Sequence, residues 1–276
     1  MQTILLAEIG ENHYGNWDLC RGMVREAAAS GATFVKFQTY TSEQFGSDHP
    51  WYSEFKKVEM PEEIHFEMQA LCRELDVGFL SSTFTTRSTA FLVDRMGCDA
   101  LKLASSRVPD LDLLTYINSR ADQVKTAYLS TGMATLDEVR TAVDHLDRID
   151  ELYLLHCTSQ YPTEDEGVNL RAMLTLRETF PEHRIGFSDH SRGLDACLAA
   201  VAMGAELLEK HFTYSTRMPG DDHEGALTPE SMKELVHRVV RIETMLGSPE
   251  KKPVPAETRA IDALRIPMRE VDFDIP

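Results

Sequence analysis

Cysteine is scarce in this chain and nowhere paired for chemistry: Cys20, Cys72, Cys98, Cys157 and Cys197 are odd in number, widely spaced and contain no C-x-x-C. Such usage fits reduced thiols that fill apolar segments of a cytosolic protein. Long hydrophobic runs are missing as well. The opening Met1-Gln2-Thr3-Ile4-Leu5-Leu6-Ala7-Glu8 is too short and too soon charged for a signal peptide, and no later stretch is long enough to span a bilayer. A soluble, cytoplasmic protein is expected. Nor is there a cluster of Lys and Arg: 28 basic residues stand against 45 acidic ones, a net charge of −17. That argues against nucleic acid and anionic membrane surfaces, so any anionic ligand must be held by a local group of cations, dipoles or metal.

What the chain does have is regular alternation. Its 276 residues suit one α/β barrel. Short β-like runs near 3–9, 33–39, 78–83, 100–105, 124–130, 152–158, 184–190 and 207–213 alternate with helix-length amphipathic segments. These helical segments fall near 17–30, 61–76, 86–97, 110–121, 135–148, 169–180, 193–204 and 228–246. Eight βα units in this order predict a (β/α)8 TIM barrel, an α/β single domain over 1–246, followed by a Pro-rich, charged arm over 247–276. Asn16, Pro61-Glu62-Glu63, Thr135-Leu136-Asp137-Glu138 and Thr228-Pro229-Glu230 are helix starts. Segment 40–60, with Trp51, Tyr52 and Phe55, is too long for an ordinary βα loop and is either a lid over the barrel mouth or an element packed outside.

Strand side chains alternate faces. One parity collects Glu8, Lys36, Gln38, Ser81, Thr83, Lys102, Ser130, His156, Thr158, Ser188, His190, Glu209 and His211, so every strand places a polar residue near its carboxyl end. Two inward lysines need anionic company, and Glu8 and Glu209 are candidates for it. A closed salt network explains the charges alone. It does not explain the surrounding hydroxyls, which a bound phosphate or carboxylate requires. His190 and His211 end neighbouring strands, so two imidazoles meet at one edge of the mouth, each beside a carboxylate, Asp189 or Glu209, as a possible ligand or supporting partner for a metal ion. His13, His156 and His223 lie beside turns that face the mouth; His49, His65, His145, His183 and His237 are assigned nothing.

Nine segments then resemble a known family, the NeuB-like sialic acid synthases and their relatives that make nonulosonic acids. They are Ala7-Glu8-Ile9-Gly10-Glu11-Asn12-His13-Tyr14-Gly15, Val35-Lys36-Phe37-Gln38-Thr39, Ser81-Ser82-Thr83-Phe84, Leu101-Lys102-Leu103-Ala104-Ser105, Leu129-Ser130-Thr131-Gly132-Met133, His156-Cys157-Thr158-Ser159-Gln160-Tyr161-Pro162, Gly186-Phe187-Ser188-Asp189-His190, Glu209-Lys210-His211-Phe212-Thr213 and Met218-Pro219-Gly220-Asp221-Asp222-His223. The resemblance implies a barrel that condenses phosphoenolpyruvate with the open-chain aldehyde of a sugar, assisted by a divalent metal, usually Mn2+, in a homodimer. It implies that Lys36, Thr83, Lys102, Ser105, Ser130, Ser159 and Ser188 hold phosphoenolpyruvate, that His190 and His211 bind the metal, and that Glu8, Gln38, Tyr161 and Asp222 contact the sugar.

The sequence departs from the family in two places. Arg107, two residues beyond Ser105, stands where the family has an acidic residue, which predicts an altered acceptor or a disabled acid/base step. The chain also stops near where the family's C-terminal antifreeze-like domain begins, so the sugar contact from that domain is expected to be missing or supplied by the arm or another protein. A phosphoenolpyruvate-dependent sugar-acid synthase is the favoured expectation. The alternatives are a Schiff-base aldolase using Lys102 or Lys36, and a non-catalytic barrel used as a binding subunit.

Overall fold

Eight short strands, β1 (Ile4–Glu8), β2 (Phe34–Thr39), β3 (Gly78–Thr83), β4 (Ala100–Leu103), β5 (Thr126–Ser130), β6 (Glu151–Cys157), β7 (Arg184–Asp189) and β8 (Leu207–His211), pair in chain order into a closed, all-parallel barrel. The computed structural model describes residues 3–267. Parallel neighbours need a crossover, and the main ones are the helices α1 (Trp17–Ala29), α2 (Tyr52–Val58), α3 (Glu62–Glu74), α4 (Thr86–Ala90), α5 (Leu111–Asn118), α6 (Leu136–Asp144), α7 (Asp165–Val168), α8 (Ala172–Thr179), α9 (Asp195–Ala202), α10 (Asp221–Glu224) and α11 (Pro229–Leu246). No described helix is long and apolar enough to cross a membrane.

Strand parity divides the apolar residues between two cores. Outward side chains such as Leu5, Val35, Phe37, Leu101, Leu129, Leu154 and Phe187 pack against Met23, Met68, Leu114 and Val239 of the helices. Inward ones, Leu6, Leu80, Tyr128, Tyr153, Leu155 and Leu207, plug the amino-terminal half of the lumen. With the bottom filled by apolar side chains, the polar ends of the strands are confined to the mouth.

The inward parity needs correction on two strands. Lys36 pairs in register with Leu80 and Gln38 with Ser82, so Ser82 faces the lumen, while Ser81 and Thr83 face the helices. On β6, Cys157 aligns with Ser188 and faces inward, while His156 aligns with the outward Phe187. The next residue, Thr158, also leaves the expected inward set: its hydroxyl donates to the Gly167 carbonyl at 2.7 Å. The reason is physical: Ser81-Ser82-Thr83 is polar on both parities, and Leu152-Tyr153-Leu154-Leu155 is apolar on both, so neither run carries a phase.

Segment 40–60 lies over the mouth-side loops. The Tyr40 hydroxyl donates to Glu11 Oε1 at 2.6 Å, and Gln44 Nε2 donates to Thr85 at 3.2 Å. Tyr40, Phe45 and Phe55 form an aromatic cluster that takes in Phe84 from the loop after β3, with Phe45 stacked on Phe55 at 4.2 Å. Beyond Gly247 the described chain runs exposed to α12 (Thr258–Leu264), which packs on the turn Pro255–Glu257. Of the expected arm, 268–276 lies outside the described residues.

Candidate active site

Four charged side chains fill the upper lumen. Lys36 Nζ lies 2.8 Å from Glu8 Oε2 and donates to Ser82 Oγ at 3.1 Å. Lys102 Nζ donates to Ser130 Oγ at 2.8 Å and to the Leu103 carbonyl at 3.2 Å. Glu209 sits between them, 3.7 Å from Lys36 and 3.6 Å from Lys102, and its Oε1 accepts the Ser188 hydroxyl at 2.9 Å. All seven side chains, those of Glu8, Lys36, Ser82, Lys102, Ser130, Ser188 and Glu209, are buried.

Burial dominates the Glu8 carboxyl and pushes it up to about 8, against the pull of Lys36. Burial works against the Glu209 anion too, yet the ammoniums of Lys102 and Lys36 more than offset it and hold this group down at about 2. Burial pushes Lys102 down, partly opposed by Glu209; Lys36, also disfavoured by burial, is carried above its ordinary value by Glu209 and Glu8. An ammonium has three N–H donors; Lys36 hydrogen bonds Ser82 and Lys102 hydrogen bonds Ser130 and the Leu103 carbonyl, while Glu8 Oε2, ion-paired with Lys36, has no hydrogen-bond partner among the described residues. Glu209 Oε2 accepts no hydrogen bond among them. The network is therefore not closed, and with Glu8 largely protonated only the Glu209 carboxylate opposes the two lysines.

Beside it lies a small cradle after β4, β5 and β6. Ser105 Oγ sits 3.2 Å from Cys157 Sγ and accepts the Gly132 N–H at 3.0 Å. A Cβ on Gly132 would stand 2.6 Å from Ser159 Oγ, 2.8 Å from Cys157 Sγ and 2.9 Å from Ser105 Oγ. Glycine at this position keeps open a space rimmed by two hydroxyls and a thiol. Thr83 is not part of it. Its hydroxyl is taken up behind the sheet by Ser88 at 2.8 Å and Thr89 at 2.9 Å, and Ser82 is the β3 hydroxyl in the lumen.

On the other side the rings of His190 and His211 stand 5.5 Å apart, with Tyr161 at 4.1 Å from the first and 5.8 Å from the second. His190 Nδ1 bonds the Thr158 carbonyl at 2.7 Å, so that nitrogen carries the proton and Nε2 keeps its lone pair. His211 Nδ1 is buried without a hydrogen-bond partner, 3.5 Å from Asp222 Oδ2. Burial pushes His190 down to about 4 and His211 to about 3, which makes both neutral near pH 7. Two neutral imidazoles, one with an unsatisfied buried nitrogen, fit a divalent metal that takes its remaining ligands from substrate and water oxygens. No three His, Cys, Asp or Glu side chains among the described residues are gathered as a metal cage. Of the two roles expected for Asp189, that of ligand does not fit: its carboxylate faces the helices and is committed to Lys210 at 2.6 Å and to the Cys197 thiol at 3.2 Å.

Gln38 and Asp222 complete the mouth. Gly10, at φ +51°, brings the backbone so near that a Cβ would lie 2.9 Å from Glu8 Oε1 and 3.4 Å from Gln38 Nε2. Burial pushes the Asp222 carboxyl up. Arg107 lies on the turn after β4 and pairs with Asp110 Oδ2 at 3.2 Å, at the amino-terminal cap of α5. The intermediate histidines have structural partners. His13 Nδ1 accepts the Gly15 N–H at 3.0 Å, His156 Nε2 donates to the Val168 carbonyl at 2.8 Å, and His223 bonds Thr213 at 2.6 Å and stacks on Tyr14. Ser82, Cys157 and Glu11 were missed as mouth residues; pairing with the neighbouring strands brings out the first two, and Glu11, beyond the end of β1, is placed by the hydrogen bond it accepts from Tyr40.

Known proteins share this arrangement of sequence and fold. The NeuB family profile matches residues 23–251. An N,N'-diacetyllegionaminic acid synthase of Legionella pneumophila is 36% identical over 274 residues, 92% of this chain and 76% of that protein. The human N-acetylneuraminate-9-phosphate synthase is 32% identical over 268 residues, 92% of this chain and 74% of its own length. The crystal structure of an N-acetylneuraminic acid (sialic acid) synthetase from Leptospira borgpetersenii, in complex with citrate, superposes with a TM-score of 0.89 at 32% identity, covering 96% of this chain and 93% of that one.

Proposed function

The chain belongs to the NeuB family, and from that premise we propose that it condenses phosphoenolpyruvate with the open-chain aldehyde of an aldose or hexosamine. The products are phosphate and a 2-keto-3-deoxy sugar acid. The observation that carries this reading is the unclosed buried network of Lys36, Lys102 and Glu209 beside the Gly132 cradle and the imidazole pair.

In this reading the spare N–H groups of Lys36 and Lys102, with the hydroxyls of Ser105, Ser130, Ser159 and Ser188, replace the water shell of phosphoenolpyruvate and fix its C3 toward the aldehyde carbon. Glu8, largely protonated near neutrality, is suited to donate to a sugar oxygen or to pass on a proton. Gln38, Tyr161 and Asp222 bound the space left for the sugar. A divalent metal, Mn2+ in this reading, supplies Lewis acidity at the aldehyde oxygen when bound, and His190 and His211 would hold it. The C3 atom bonds to the aldehyde carbon, water adds at C2, and the C2–O bond to phosphate breaks to leave the ketone.

Water labelled with 18O tests the bond order directly. Cleavage at C–O places the label in the keto acid; label in the released phosphate would contradict it. The lowered pKa of Lys102 favours one other reading, imine formation with a carbonyl substrate. Borohydride trapping of substrate on Lys102 without added metal would establish that alternative. Arg107, on the turn that begins at Ser105 and paired with Asp110, makes an acidic or phosphorylated acceptor the first class to assay.

A further inference from the structure

On the helix-facing side of β7 and β8, directly behind the two imidazoles, lies a fully buried ion pair that the reaction does not use. Lys210 Nζ donates to Asp189 Oδ2 at 2.6 Å and to the Ser191 carbonyl at 2.6 Å. Asp189 Oδ1 accepts the Ser191 N–H at 2.8 Å and the Ser191 hydroxyl at 2.7 Å, and its Oδ2 also receives the Cys197 thiol at 3.2 Å. The residues on both sides of His190 are thus tied to the residue that precedes His211. The carbonyl of His190 is itself held by the Thr163 N–H at 3.0 Å, and Gly225 packs so close that a Cβ there would lie 2.7 Å from it.

Stability alone does not call for this pair. Strands β7 and β8 are already hydrogen bonded in register through Ser188 with Glu209 and Asp189 with Lys210. Elsewhere the outward face of the barrel carries apolar residues such as Phe37, Leu103 and Phe187, or hydroxyls such as those of Ser81 and Thr83. Exchanging a buried ion pair for apolar residues is commonly neutral or stabilising, whereas an ion pair with fixed hydrogen bonds specifies direction. We propose that the Asp189–Lys210 pair is a positioning device: through Ser191 it sets the separation and tilt of the His190 and His211 rings. Its functional consequence rests on the metal-site reading above; its geometric content does not.

The test uses the full chain carrying Lys210→Met, Asp189→Asn and the double change Asp189→Asn/Lys210→Met. Each is examined by thermal unfolding, by the 15N–1H signals of the imidazoles without metal, and by Mn2+ affinity without substrate. Asn keeps an acceptor for Ser191, and the double variant holds no lone buried charge, so its Tm should recover from the losses of the single variants. The pair being a positioning device predicts that the His190 Nδ1–H signal nevertheless shifts or exchanges away, and that Mn2+ binds about tenfold to a hundredfold more weakly. Wild-type imidazole signals and wild-type Mn2+ affinity in the double variant would overturn the inference. Signals are read well below each variant's Tm, so a double variant that stays destabilised is judged by the same signals. Failure of the unmutated protein to bind Mn2+ would sink the metal reading, while the imidazole signals would still decide this one.

Discussion

Gly132 carries the sharpest prediction at the scale of single residues. Its φ is not in the left-handed region, so alanine suits its backbone, but the added methyl would occupy the space between Ser105, Cys157 and Ser159. Gly132→Ala should weaken phosphoenolpyruvate binding at least tenfold, about 1.4 kcal/mol, with little loss of Tm; calorimetry that shows unchanged affinity would remove the cradle from the phosphate site. Glu8 makes a second prediction through pH. Its carboxyl is raised to about 8 in the folded protein, so its contribution to stability is complete below the ordinary carboxylate range and is lost as pH rises through 8. With a chelator present, wild type should therefore lose stability relative to Glu8→Gln between pH 6 and 9, by at most about 1.4 kcal/mol per pH unit. Parallel pH profiles from chemical denaturation would contradict the raised carboxyl. Glu8, Lys36, Lys102, Ser130, Ser188, His190, Glu209 and His211 were legible from strand parity because their strands alternate cleanly. Thr83, His156 and Asp189 were not, because a run of one polarity hides its phase and a carboxylate next to a histidine in sequence points to the opposite face of the strand.

At the scale of elements, the helix starts were readable because their caps are local. Asn16 accepts the Leu19 N–H, Thr135 and Glu138 form a reciprocal box, and Thr228 and Ser231 do the same before α11. A start without such a cap was less so. The expected helix 169–180 begins at Ala172, since Asn169, at φ +46°, turns the chain between α7 and α8. Segment 40–60 is attached where Gly15, at φ +69°, meets α2: a Cβ there would lie 2.2 Å from the Lys57 carbonyl oxygen. Gly15→Ala should push α2 off the mouth and expose 46–51 to limited proteolysis, at a cost of about 1–3 kcal/mol. Cleavage at the wild-type rate would mean that the segment is held by its aromatic cluster alone. No pattern in the sequence showed which loops this segment covers; Tyr40 with Glu11 and Gln44 with Thr85 are contacts across loops from different strands.

For the whole molecule, the net charge of −17 makes the concentration of cations at the mouth meaningful. Lys36 and Lys102 are buried where an anionic protein would otherwise repel an anionic substrate, and Glu8, mostly uncharged, does not cancel them. Alternation of strands and helices was enough to reveal the barrel, since each βα unit is a local pattern repeated along the chain. The acceptor was not legible, because a sugar is recognised by loops whose mutual placement only the closed barrel sets. The central claim is tested most directly by phosphate release from phosphoenolpyruvate with Mn2+ and a panel of aldoses, among them N-acetylmannosamine, neutral sugars and sugar phosphates. Release that requires both the metal and one sugar is the predicted result. No release with any acceptor, together with no phosphoenolpyruvate binding in calorimetry, would contradict the account.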